Sequence, residues 1–131
     1  MTAASTSVWE SRERAVLAAR VAADKRGTDT VVLDVGSVLH IVDWFVVTSV
    51  ANIRLVQAIA EEVEAALKGA GGGPIRVEGL ADAAWVLLDF GDVVVHVFLD
   101  EVRSYYDLER LWGDVPRLDW EGEPAPSMAG E

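Results

Sequence analysis

The chain has 131 residues, about one domain's worth, and 51% of them are hydrophobic against 25% charged, an ordinary globular composition. The 11 Lys and Arg stand against 22 Asp and Glu, so the formal charge is −11; a nucleic-acid binder should be basic, so this balance excludes that class and fits a basic partner. Cysteine is absent, which removes disulfides, a cysteine nucleophile and thiolate metal sites.

Residues 1–8 read as a flexible N-terminus. Met1 to Ser7 hold no Lys or Arg, and no apolar stretch of signal-peptide length follows, so a cytoplasmic protein is expected. The most apolar run, Val93 to Leu99, is interrupted by His96 and too short to cross a bilayer.

Ser7 and Glu10 have capping-box spacing ahead of an Ala-rich helix over Trp9 to Arg26, with Gly27 suited to its stop. Its amphipathic signal is weak because Ala supplies most of it, so the helix is expected on the surface of the domain. Thr30 to Val35 reads as a buried strand. Val38 to Asp43 is a short connection with room for one helical turn, and Trp44 to Thr48 is a second apolar strand. Ser49 or Asn52 caps the next helix, where Val56, Ile59, Ala60, Val63 and Leu67 form one stripe at helical spacing. Glu61, Glu62 and Glu64 lie mostly off that stripe.

Gly69 to Pro74 is a loop without the Lys or Ser/Thr that a phosphate-binding loop needs. Three strands follow: Ile75 to Glu78, Trp85 to Asp89 and Val93 to Phe98, the last two flanking a tight turn at Phe90-Gly91. Val93, Val95 and Val97 share one face of the last strand, and Val94, His96 and Phe98 the other. Both faces are apolar, so helices should cover both sides of the sheet. A final helix begins near Asp100 and ends before Gly113. The expected class is α+β: a mixed sheet of about five strands layered with helices, in one domain over residues 9–118. Residues 119–131 read as a disordered acidic tail.

Chemistry-bearing residues are few. In the segment Arg103 to Trp112, Tyr105, Leu108 and Trp112 form one helical stripe, and Arg103 with Asp107 and Tyr106 with Arg110 have pair spacing. The stripe is expected to pack on the sheet, whereas Tyr106 falls off it and suits an interface. His96 could act as a general base with Asp89 across the hairpin as its orienter. No Ser or Cys nucleophile stands beside it, so it reads as a core or edge histidine satisfied by a hydrogen bond. His40 and Asp43 are too few to make a metal site. Gly36-Ser37 followed by Asp43-Trp44-Phe45 has the skeleton of a two-metal nucleotidyl-transfer site, which needs a second carboxylate two positions after the first. Phe45 occupies that position. A divergent nucleotidyltransferase using Asp34, Asp43 and Asp89 is the enzymatic alternative, and a dimeric adaptor is a third reading.

The stretch Trp85-Val86-Leu87-Leu88-Asp89-Phe90-Gly91-Asp92-Val93-Val94-Val95-His96-Val97-Phe98, followed by Arg103 to Trp112, closely resembles the ribosomal silencing factor family, also called Iojap-like proteins. Val32 to Val35, Asp43 to Val47 and Glu78-Gly79 are similar to the same family. One departure is plain: after the second strand the family usually reads Ser-Gly-x-Ser-x-Arg-Gln, and Ser49 to Leu55 keeps Ser49 and Arg54 but lacks the Gly and the Gln. The resemblance implies a nucleotidyltransferase-like fold without the catalytic carboxylates, no enzymatic activity and no cofactor or metal. It implies a translation repressor that binds the large ribosomal subunit at its protein fourteen and blocks subunit joining in starvation. It points to Trp85, Asp89, Arg103, Tyr106, Asp107, Glu109 and Trp112 as partner-binding residues. An apolar face with Trp85 or Trp112 could also support a homodimer.

Overall fold

The computed structural model describes residues 9–106, 110 and 113–123, and of Tyr105 and Tyr106 the backbone alone. Helix α1 spans Ser11–Asp24. Ser7 lies outside the described residues; Glu10 is the N-cap, and its amide donates to the Glu13 carboxylate at 3.1 Å. The expectation that α1 lies on the surface is overturned. Ala15, Ala18, Ala19 and Ala22 are all fully buried. Alanine adds little hydrophobic signal to a sequence, but its small side chain lets a helix backbone approach a sheet closely.

Strand β1 (Thr28–Asp34) pairs antiparallel with β2 (Trp44–Val50). Between them a helical turn, expected within Val38 to Asp43, lies two residues earlier, as α2 (Gly36–Leu39). Helix α3 covers Ile53–Lys68, and Asn52 rather than Ser49 caps it, its Oδ1 accepting from the Leu55 amide at 2.9 Å. The stripe of Val56, Ile59, Ala60, Val63 and Leu67 is buried as its spacing requires. Then come β3 (Arg76–Glu78), β4 (Trp85–Asp89), β5 (Val93–Leu99) and helix α4, described over Asp100–Tyr106. The β4–β5 turn is closed by the Phe90 amide on the Val93 carbonyl at 2.9 Å, with Gly91 at φ 93°. Phe90 is buried rather than exposed at the turn, and the Arg14 guanidinium lies 5.5 Å from its ring centre.

Among the described residues the sheet has six strands in the order β3-β4-β5-β2-β1-β6. All neighbours are antiparallel except β2 and β5, so the sheet is mixed as expected. The sixth strand, β6 (Arg117–Leu118), pairs with β1 and was not legible as a strand. Of residues 119–131, expected as a tail, 119–123 are folded. Asp119 caps a 3-10 turn over Trp120–Gly122, and the Trp120 indole donates to the Thr30 carbonyl at 2.8 Å. Arg12 of α1 pairs with Glu123 at 2.7 Å. Residues 124–131 lie outside the described residues.

Helices α1 and α3 cover one face of the sheet, over Val32, Val46, Val86, Leu88, Val93, Val95 and Val97. On the opposite face Leu33, Val35, Val47 and Phe98 pack against Leu39, Val42, Val102 and Val115. Among the described residues, that second cover comes from short segments and reaches only part of the face. Toward β3, Trp85, Leu87 and Asp89 remain half-buried.

Candidate functional site

Cross-strand register decides which side chains meet, because residues directly opposite share a face of the sheet. Trp85 lies opposite Phe98, Leu87 opposite His96 and Asp89 opposite Val94. On the other side of β5, Phe45 lies beside Val94 and Val47 beside His96. On β3, Glu78 faces Leu87 and Arg76 faces Asp89. These residues form one surface, closed toward β1 and open toward β3. Glu78, Gly79, Trp85 and Leu87 line a shallow cavity of about 270 Å³ on its open half. At its rim Gly79 has φ 87°, and a Cβ there would lie 2.1 Å from the Trp85 carbonyl oxygen, so only glycine lets the chain pass this close.

Beneath the open half lies an aromatic cluster. The Trp85 ring stacks on Phe98 with centroids 4.9 Å apart. Phe45 meets the His96 imidazole edge-to-face at 4.8 Å. His96 is 5% exposed, and its Nδ1 accepts a hydrogen bond from the Trp85 indole N–H at 3.2 Å. An accepting Nδ1 places the proton of the neutral ring on Nε2. That nitrogen is buried and has no hydrogen-bond partner among the described residues. Burial lowers the His96 pKa to about 4, so the ring is neutral near pH 7.

This geometry bears out the reading of His96 as a core histidine held by a hydrogen bond, and not the alternative that pairs it with Asp89. Asp89 lies opposite Val94, its Oδ1 accepts from the Gly91 amide at 2.9 Å, and its Oδ2 lies 3.5 Å from the Arg76 guanidinium. A general base oriented by a carboxylate would donate from one ring nitrogen; here Nδ1 accepts from an indole instead. Phe45, in the position that a metal site would give to a carboxylate, is used for packing against His96. Asp43 and His40 are exposed, and among the described residues no three His, Asp or Glu side chains converge on a point that could hold a metal ion.

Arg103, read from the sequence as an interface residue with pair spacing to Asp107, lies at the inner side of α4, and Asp107 lies outside the described residues. Arg103 is 8% exposed. One guanidinium nitrogen donates to the Thr28 carbonyl and to Ser49 Oγ, both at 3.1 Å, and the other donates to the Asp29 carbonyl at 2.7 Å. It thereby ties α4 to the start of β1 and the end of β2. Ser49 and Arg103, which stand in separate segments of the family resemblance, thus meet in the fold. Tyr106 closes the described part of α4. Asp107, Glu109 and Trp112 lie outside the described residues. The structure therefore joins Trp85 and Asp89 on one surface and buries Arg103 between α4 and the ends of β1 and β2. It adds Leu87, Glu78 and Gly79, which the sequence placed in the family's motifs but not among the partner-binding residues; the signal for Leu87 was its shared parity with Trp85 and Asp89 on β4.

Comparison with known proteins agrees with the motif. The family model described as "Ribosomal silencing factor during starvation" matches residues 8–131. The chain is 43% identical over 103 residues to the ribosomal silencing factor RsfS of Bacillus subtilis, covering 79% of this chain and 87% of that one. It is 31% identical over 110 residues to the chloroplastic protein Iojap of Arabidopsis thaliana, covering 84% of this chain and 46% of that protein. A crystal structure of a Chromobacterium violaceum protein superposes with a TM-score of 0.77 at 38% identity, covering 92% of this chain and 93% of the other. With the motif, the sheet that carries it and these matches in agreement, the chain belongs to the ribosomal silencing factor family.

Proposed function

We propose that this chain docks on the large ribosomal subunit at its protein fourteen and sterically excludes the small subunit, repressing translation under nutrient limitation. The observation that carries this reading is the family match over residues 8–131. The half-open face supports it. Trp85 and Leu87 offer apolar contact and Glu78 and Asp89 offer carboxylates, the arrangement of an aromatic anchor inside a polar rim. A net charge of −11 suits a basic ribosomal protein and repels bare RNA. The docking residues are Trp85, Asp89, Tyr106, Asp107, Glu109 and Trp112, with Arg103 holding α4 in place. The action is steric, uses no cofactor and takes place in the cytoplasm.

Co-sedimentation with isolated large subunits tests this reading. The chain should pellet with large subunits, not with small ones, and should inhibit their joining. Helical spacing leaves Tyr106 off the stripe of Tyr105, Leu108 and Trp112, so Tyr106→Ala should melt with the parent. An aromatic anchor cut to alanine costs on the order of 2 kcal/mol, roughly a thirty-fold loss of affinity. Full binding by Tyr106→Ala would move the interface to another face, and no co-sedimentation of the parent would end the proposal. A homodimer formed through Trp85 would cover the same groove, and a concentration series in the ultracentrifuge reads that occupant out.

A further inference from the structure

We infer that His96 is a positioning residue for the docking face: it holds the Trp85 indole in the orientation that lines the groove. This rests on the reading of that face as the ribosome-binding surface. The Trp85 indole N–H donates to His96 Nδ1 at 3.2 Å, while its ring stacks on Phe98 at 4.9 Å. A side chain held by both a stacking contact and a directed hydrogen bond has less rotamer freedom to lose on binding.

Packing alone does not account for an imidazole here. His96 sits among Phe45, Trp85 and Phe98 with its Nε2 buried and without a hydrogen-bond partner among the described residues. A buried, unsatisfied N–H is costly, and a phenyl ring would fill similar space without one. What the imidazole adds over a phenyl is an acceptor aimed at the Trp85 indole. The nitrogen that would be a base in an enzyme is used to receive that proton donor, and the groove beside it is lined by Trp85 and Leu87.

The hydrogen bond can be read directly in the full-length chain, without the ribosome. In uniformly 15N-labelled protein, an N–H···N bond transmits a scalar coupling between Trp85 Nε1 and His96 Nδ1. That coupling should be present in the parent and absent in His96→Phe. His96→Phe should melt no lower than the parent, yet bind large subunits about tenfold more weakly, the size of one lost hydrogen bond. In a Trp85→Phe background the same change should cost nothing further, because a residue that acts through Trp85 has nothing left to hold. Absence of the coupling in the parent overturns the inference even if His96→Phe fails to fold. Additive losses in the double variant would also overturn it, since His96 would then act independently of Trp85. A coupling that is present while Trp85→Phe binds like the parent removes Trp85 from the interface, and the positioning role falls with the docking reading while the hydrogen bond stands.

Discussion

Arg103 and His96 show how two polar residues come to lie in an apolar interior. The guanidinium fork of Arg103 satisfies the Thr28 carbonyl, the Asp29 carbonyl and Ser49 Oγ at once. Arg103→Met would keep most of the volume and strip all three acceptors of that donor, so it should cost about 3 kcal/mol in urea unfolding. Arg103→Lys should recover only part of this, because an ammonium lacks the planar fork that reaches both sides. A loss under about 1 kcal/mol in Arg103→Met would mean that water replaces the guanidinium without penalty. His96 makes a different prediction. Its folded pKa of about 4 lies below the unfolded value of 6.5. Between those values the unfolded chain binds more protons, so the stability tied to this group is full above 6.5 and is lost as pH falls through 4. The parent should lose stability with falling pH more steeply than His96→Phe, by a difference approaching about 1.4 kcal/mol per pH unit between those limits. Equal slopes would place the imidazole in contact with water.

Helix α1 illustrates how an element's role depends on what it meets. Its alanines give a weak periodic signal, yet Ala15, Ala18, Ala19 and Ala22 are fully buried against the rest of the core. Close approach is what alanine permits and what larger residues would forbid. Ala19→Leu should therefore destabilise the domain by about 2 kcal/mol through overpacking, despite raising hydrophobicity. Thermal unfolding of that variant checks it, and an unchanged melting temperature would mean that α1 can shift away from the sheet at no cost. Arg14 of the same helix reaches the end of α3, its guanidinium donating to the carbonyls of Leu67 at 3.3 Å and Gly72 at 3.2 Å. A side chain from α1 thus fixes the glycine loop that ends α3, a contact that no pattern within either helix announces.

Across the whole molecule, charge and the half-covered sheet act together. The chain carries −11 overall, while at the groove Arg76 lies 3.1 Å from Glu78 and 3.5 Å from Asp89, leaving two carboxylates to one guanidinium. An acidic body approaching a basic partner gains association rate from complementary potential. Salt screens that gain beyond about 8 Å at physiological strength. Affinity for large subunits should fall roughly tenfold between about 50 and 300 mM salt, with most of the change in the association rate. Binding that ignores salt would show that the apolar contacts of Trp85 and Leu87 decide the affinity alone.

Some of this was written into the chain locally. The α3 stripe from Val56 to Leu67 is a helical period, and the alternation of Val93, Val95 and Val97 with Val94, His96 and Phe98 is a strand period. Each depends only on near neighbours in sequence, and each is buried as its period requires. The Trp85 to Phe98 and Arg103 to Trp112 segments likewise carried the family within the primary sequence. The tertiary structure alone decided that β5 lies beside β2, that His96 meets Trp85 and not Asp89, and that Arg103 reaches residues far away at Thr28 and Asp29. It also decided that α1 is core and that β6 completes the sheet. The reason is that periodicity fixes which face of an element is apolar, whereas strand order and register are fixed by how all the faces pack at once. The described part of the candidate site lies across three strands, and so it comes into being only when the sheet forms.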